Sequence, residues 1–229
     1  MRVKFDYVQL VIFSSGFIIN NKLKVANAIN ENLQYLLDAD PMIVPIPEDA
    51  PSEIPRIRMS SKDNKYVLNI AKSRVDFFFR NVENSYEYLL PISGLFEKFL
   101  TISKYFKEDI HAQITRCSIV SEWVIELEKQ TSTDLIVSKY IRLGTPIINP
   151  YQLELRYLFR ESVNEFEVNK WTILRSATEN DRFVKLLIDI NTLFENTYDF
   201  DNNSLQKFFD QSSRVVNEII NSHVRTLEE

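Results

Sequence analysis

The chain has 229 residues, 45% of them hydrophobic, with 27 basic and 32 acidic side chains giving a formal net charge of −5. A globule of this size buries about 70% of its unfolded surface and needs neither disulfides nor a structural metal, while the acidic balance disfavours sequence-independent nucleic-acid binding by the whole molecule. Three glycines nearly exclude glycine-dependent phosphate loops, and the single Cys117 excludes an intrachain disulfide and a multi-cysteine zinc site.

Val3–Phe13 predicts a first strand, with Val3, Phe5, Tyr7, Val11 and Phe13 on one face and Gln9 as the exception. Lys4, Asp6 and Gln9 interrupt its apolar run, so the start of the chain reads as a strand and not as a signal peptide. Asn20–Leu37 carries a helical stripe of Ala26, Ile29, Leu33, Leu36 and Leu37, with Asn20 or Asn21 as cap. Asp40–Pro55 holds five of the eight prolines and must be an extended edge or surface crossing.

Arg56–Asn81 has the clearest pattern and predicts three short antiparallel strands. With Lys72-Ser73 as a two-residue turn, Ile70 faces Val75, Leu68 faces Phe77 and Tyr66 faces Phe79; a slip of one residue would destroy that apolar face. A loop from Val82 to Leu90 leads to a second helix over Pro91–Lys107, buried through Leu95, Phe96, Phe99, Ile102 and Phe106.

A second cycle begins with a strand over Ala112–Glu128, placing Cys117, Ile119, Ser121, Trp123, Ile125 and Leu127 on one face and Arg116, Ser118, Glu122 and Glu126 on the other. Ser132–Tyr140 predicts a short helix capped by Ser132, and Gly144–Pro150 a connector. Gln152–Arg160 and Glu165–Leu174 predict a hairpin turning at Glu161–Asn164, with Phe159 facing Phe166, Tyr157 facing Val168 and Arg160 meeting Glu165. Arg182–Asn191 is the last strand, with Val184, Leu186, Ile188 and Ile190 inward. Ser204–Arg225 is the last helix, preceded by Asp199–Asn203 and capped by Ser204, with Leu205, Phe208, Phe209, Ser212, Val215, Val216, Ile219 and Ile220 on its apolar face.

The order is therefore β-α-β-β-β-α, twice. The expected fold is α+β: a single domain of two pseudo-repeats, 1–110 and 111–229, joined into one curved antiparallel sheet with helices on one face. That arrangement resembles the TATA-binding-protein and helix-grip architectures, a likeness that carries no function. Val67–Asn81, VLNIAKSRVDFFFRN, and Leu187–Asn191, LIDIN, also resemble motifs of an uncharacterised, sporadically distributed bacterial protein family of similar length. Phe77-Phe78-Phe79 stands where that family often has Asn-Trp. The resemblance implies a fold and no activity, so it assigns no functional residue.

The candidate chemistry lies on the polar face. Arg74, Asp76 and Arg80 share it with Phe78 on the first hairpin; Arg156, Arg160, Glu165, Glu167 and Trp171 lie there on the second, and Asp189 and Lys185 on the last strand. Mixed charge on a sheet is either a network of cross-strand ion pairs or a polar ligand site, and paired carboxylates are potential metal ligands. Phe78 and Trp171, aromatics on otherwise polar faces, suit a protein interface, a base-stacking platform or a face covered by a helix. His223 is expected near the last helix's C-terminus, where positive charge is favoured; His111 falls in a loop, and Cys117 reads as a buried structural thiol.

The leading expectation is a non-enzymatic binding or assembly protein, cytoplasmic and without a cofactor, that contacts a protein partner or itself through a sheet face or edge. A single-stranded nucleic-acid module using the arginines is the alternative, disfavoured by net charge. A metal-dependent hydrolase using Asp76, Glu167 or Asp189 is third. No segment approaches the length of a membrane span.

Overall fold

The structure is a computed structural model; it describes all residues except 48, 87–91, 129, 142–149, 178–179, 197, 199 and 229, and only the backbone of 92–93. Among the described residues thirteen elements follow one another: β1 (Arg2–Ser14), α1 (Lys22–Asn32), β2 (Met42–Ile43), β3 (Ile57–Ser60), β4 (Tyr66–Ile70), β5 (Arg74–Arg80), α2 (Ile92–Glu108), β6 (Ile114–Glu126), α3 (Ser132–Tyr140), β7 (Glu154–Val163), β8 (Phe166–Ser176), β9 (Phe183–Thr192) and α4 (Asn202–Glu228). The strands form one open antiparallel sheet of nine, in the order β2-β3-β4-β5-β1-β6-β9-β8-β7. The fold is α+β.

The β4–β5 hairpin has the expected register: Tyr66 pairs with Phe79, Leu68 with Phe77 and Ile70 with Val75. Ala71 N–H donates to Arg74 O across Lys72-Ser73, closing the two-residue turn. The inward face is built from Phe77, Ile119, Trp123, Ile188 and Leu174, all with no exposed surface. α2 and α4 pack on it: Phe99 stacks on Phe77 at 6.2 Å, Phe209 meets Phe99 edge-on at 5.3 Å, and Phe208 meets Phe166 at 5.8 Å. Such aromatic contacts fix ring geometry as well as burying area. The buried stripe of α4 follows the sequence pattern, with Val215 and Ile219 only partly buried at its edge, and continues through Val224 and Leu227.

Several boundaries differ from the sequence reading, each for a local reason. The register of β1 against β6 shifts between Phe5 and Tyr7, a bulge that gives Asp6 no partner. One extra residue reverses the alternation, so Val8, Leu10 and Ile12 join Val3 and Phe5 inside, and Tyr7, Val11 and Phe13 turn to the opposite face with Gln9. α1 ends at Asn32 because Gln34 and Tyr35 adopt left-handed φ of 53° and 60°. Asn21 caps it, accepting from Lys24 N–H.

The second hairpin turns later than expected. Its turn is Asn164-Glu165, with Asn164 at φ 54°, a conformation asparagine tolerates well. Val163 therefore pairs with Phe166, Phe159 with Lys170, Tyr157 with Thr172 and Arg160 with Asn169, and Glu165 stands in the turn, on neither face. Thr131, not Ser132, caps α3. Asp201 accepts Ser204 N–H at 2.6 Å and takes the capping role assigned to Ser204, which lies in the first turn of α4.

The proline segment does form a sheet edge: β2 pairs with β3 over Met42–Arg58 and Ile43–Ile57. The buried Arg56 guanidinium donates to the carbonyls of Ile46 and Pro47, fastening it. Pro91, most of the connector 144–150 and Asp199 lie outside the described residues. No helix among the described residues is long and apolar enough to cross a membrane.

Candidate binding face

The face opposite α2 and α4 collects the polar side of every strand. One cross-strand row reads Phe78, Gln9, Val120, Asp189, Trp171, Leu158. The next reads Asp76, Val11, Ser118, Asn191, Asn169, Arg160, and the one on the other side Arg80, Tyr7, Glu122, Leu187, Ile173, Arg156. Every predicted site residue on β5, β7, β8 and β9 thus shares this face, but they do not converge. Phe78 and Trp171 are four strands apart, roughly 19 Å at the usual strand spacing.

The charges are largely consumed within the sheet. Asp76, buried, accepts from Gln9 Nε2 at 2.7 Å and from Arg74 Nε at 3.0 Å. Asp189 accepts from Ser118 Oγ at 2.8 Å and from Asn191 Nδ2 at 3.1 Å. Glu122, buried on β6, meets Arg175 at 2.9 Å and Lys185 at 4.0 Å. Glu167 accepts from Ser162 Oγ near the turn end of β8. Arg156 is ion-paired to Glu154 and Arg160 to Glu195 at 3.5 Å, both at the sheet margin. Asp76, Glu167 and Asp189 stand on three different strands, and no three His, Cys, Asp or Glu among the described residues group closely enough to hold a metal ion.

Burial raises the Asp189 carboxyl above the ordinary aspartate range, against the opposing pull of its Asn191 and Ser118 hydrogen bonds. A folded-state pKa above the unfolded one means that ionising Asp189 costs stability, and the cost appears as pH rises through that raised value. Asp189→Asn keeps an acceptor for Ser118 and carries no charge. It is expected to melt higher than the wild type at pH 7 and to match it below the usual aspartate pKa, as thermal denaturation across pH would show. Burial, followed by the neighbouring Glu122, also pushes up the Tyr7 hydroxyl on the same face.

Two features of this face escaped the sequence reading. Phe13, placed here by the bulge, is covered by Arg116 at 4.8 Å and Arg74 at 5.1 Å, and Arg116 also lies 5.5 Å from Phe194, which is 79% exposed. At the β7 end, Leu158 pairs with Trp171 and Ile173 with Leu187 in adjacent rows. These four side chains form an apolar patch bordered by Arg156, Arg160, Arg175 and Asp189. Alternation on β7–β9 was enough to predict the patch once the hairpin turn was known.

His223 departs from its expected role. It lies inside the helical layer, its Nδ1 2.8 Å from Tyr140 Oη and its ring stacked at 6.2 Å on Tyr157, and burial lowers its pKa. His111 is a left-handed loop residue at φ 56°. Cys117 is fully buried, and that burial drives its thiol pKa well up.

Fold and face together define an α+β protein with an open nine-stranded antiparallel sheet, one side carrying helices and the other a hydrogen-bonded polar network with an apolar end. No family model, curated protein or solved structure matches the chain. The family resemblance drawn from Val67–Asn81 and Leu187–Asn191 therefore rests on those residues alone, and both segments lie in paired strands of this sheet.

Proposed function

We propose that the protein is a non-enzymatic binding or assembly protein that contacts another protein through the β7 end of its sheet. The observation that carries this reading is the patch of Leu158, Trp171, Ile173 and Leu187 with its rim of arginines. An aromatic-centred apolar patch inside a charged rim is the usual make-up of an interface core. The patch reaches the edge strand β7, where Leu158 remains 39% exposed. Trp171→Ala is expected to weaken association at least about tenfold, with an unchanged far-UV spectrum, in sedimentation velocity. Phe78→Ala, four strands away, is expected to have the smaller effect. Unchanged association in the Trp171 variant would remove the reading.

The same proposal includes the chain's organisation: one domain of two pseudo-repeats, near 1–110 and 111–229, in the manner of TATA-binding-protein-like folds. Two parallels support it. β1 and β6 lie side by side at the centre, each followed outward by the last strand of its own half. On each, one polar side chain donates to a carboxylate on that outward strand, Gln9 to Asp76 and Ser118 to Asp189.

A second reading is a single-stranded nucleic-acid module. It is favoured by Phe13 between Arg74 and Arg116, beside a groove of about 400 Å³ that Phe194 and Asn196 also line. Base stacking on such an arginine-flanked ring is sequence-tolerant and salt-sensitive. Binding of a fluorescent oligothymidylate at low salt, lost in Phe13→Ala, would support it; no binding at low salt would end it.

A further inference from the structure

We infer that the partner is a second copy of this chain, joined edge to edge through β7 so that the two sheets continue as one. The inference rests on the assembly reading above and adds the occupant, the strand and the register.

β7 is the outermost strand of the sheet, ten residues long, with no proline and no register shift against β8. Ser176 N–H donates to Leu153 O at 2.9 Å, so odd-numbered residues of β7 direct their N–H and C=O groups to β8. Alternation then turns the backbone groups of Glu154, Arg156, Leu158 and Arg160 outward. Among the described residues no strand lies on that side. A long, regular edge of this kind is a template for adding another strand.

The side chains choose both the partner and the register. A two-fold axis through Tyr157 sets Glu154 opposite Arg160 of the second copy, and Arg160 opposite its Glu154, on the open face. On the helix side it sets Leu155 against Phe159, twice, and Tyr157 against itself. Opposite charges and apolar pairs directly across antiparallel strands are favourable. Moving the axis by one residue destroys the match: centred on Leu158 it opposes Arg156 to Arg160, and centred on Arg156 it opposes that arginine to itself. The Tyr157 register also makes Leu158 a diagonal neighbour of its own copy, so the two Trp171 patches merge across the axis. Closed two-fold pairing of one surface with itself is the commonest form of homo-oligomer.

The register can be tested on the edge strand itself, at half-buried Tyr157 and exposed Phe159. In this geometry Tyr157 and its copy form a non-hydrogen-bonded pair with Cα atoms about 4.5 Å apart, within disulfide range. Tyr157→Cys is expected to cross-link to a covalent dimer under mild oxidation, whereas Phe159→Cys alone is not, because its partner is Leu155. Glu154→Arg and Arg160→Glu, each counted twice by symmetry, are each expected to weaken the dimer at least about tenfold in sedimentation velocity; the double exchange restores it.

A dimer indifferent to both reversals, or cross-linking at Phe159→Cys instead of Tyr157→Cys, overturns the inference. If that dimer is still weakened by Trp171→Ala, the assembly reading survives with another geometry; if it is not, both fall. A wild-type chain that stays monomeric at every concentration overturns the inference and the self-association form of the reading.

Discussion

Phe77→Ala is expected to destabilise the protein by about 3–5 kcal/mol, and Phe78→Ala, its neighbour, by about 1 kcal/mol or less. Phe77 has no exposed surface and is stacked between Tyr66 at 6.0 Å and Phe99 at 6.2 Å, so its removal leaves a cavity between sheet and helix. Phe78 is half-buried on the other side, near Tyr7 at 6.2 Å and under Arg80 at 5.9 Å. Half-buried Tyr7 and exposed Arg80 line an open groove with it, so the space can close or hydrate. Chemical denaturation of the two variants reads the difference directly. Equal losses would mean that the β4–β5 register, and with it the division of the sheet into a covered and an open face, is wrong.

The second large effect lies in the Glu122 cluster. Arg175→Ala is expected to cost about 2–4 kcal/mol, because it leaves a buried carboxylate without its closest cation. Glu122→Gln is expected to cost about 1 kcal/mol, since Arg175 and Lys185 keep access to water once the carboxylate is gone. The asymmetry follows from exposure: the Glu122 side chain is 7% exposed and that of Arg175 37%. Denaturation midpoints at pH 7 decide it. If removing the acid costs more than removing the base, the carboxylate is not the buried member of the pair.

Where side-chain alternation was uninterrupted, the sequence was legible. Tyr66–Phe79 and Val184–Ile190 read correctly because a buried face tolerates only one register, and the heptad-like stripe of α4 allowed only one helix face. Failures occurred where backbone geometry was not signalled by composition. A bulge at Asp6 has no glycine to announce it, yet it reverses Tyr7, Gln9, Val11 and Phe13 together and so hid the Phe13–arginine stack. The Asn164-Glu165 turn lacks the glycine that usually follows asparagine in tight hairpins, and misplacing it concealed the pairing of Leu158 with Trp171. Gln34 and Tyr35 end α1 in left-handed conformations that neither residue type favours.

For the open face, sequence periodicity placed Arg74, Asp76, Phe78, Arg80, Arg156, Arg160, Glu167, Trp171 and Asp189 on the correct side. It did not say which charges would be buried. Asp76 and Glu122 disappear beneath their neighbours, while Arg80, Arg156 and Arg160 remain at the margin. Burial is a property of strand order, and the order β5-β1-β6-β9 becomes visible only when the two central strands are seen side by side.

Native mass spectrometry of gently purified, untagged protein, with its ultraviolet absorbance ratio recorded, tests the central claim most directly. A dimer at twice the 27.0 kDa chain mass, with a protein-like absorbance ratio, is the predicted result. A monomer, or a monomer carrying nucleic-acid mass and absorbance, would contradict it and return the weight of the reading to Phe13, Arg74 and Arg116.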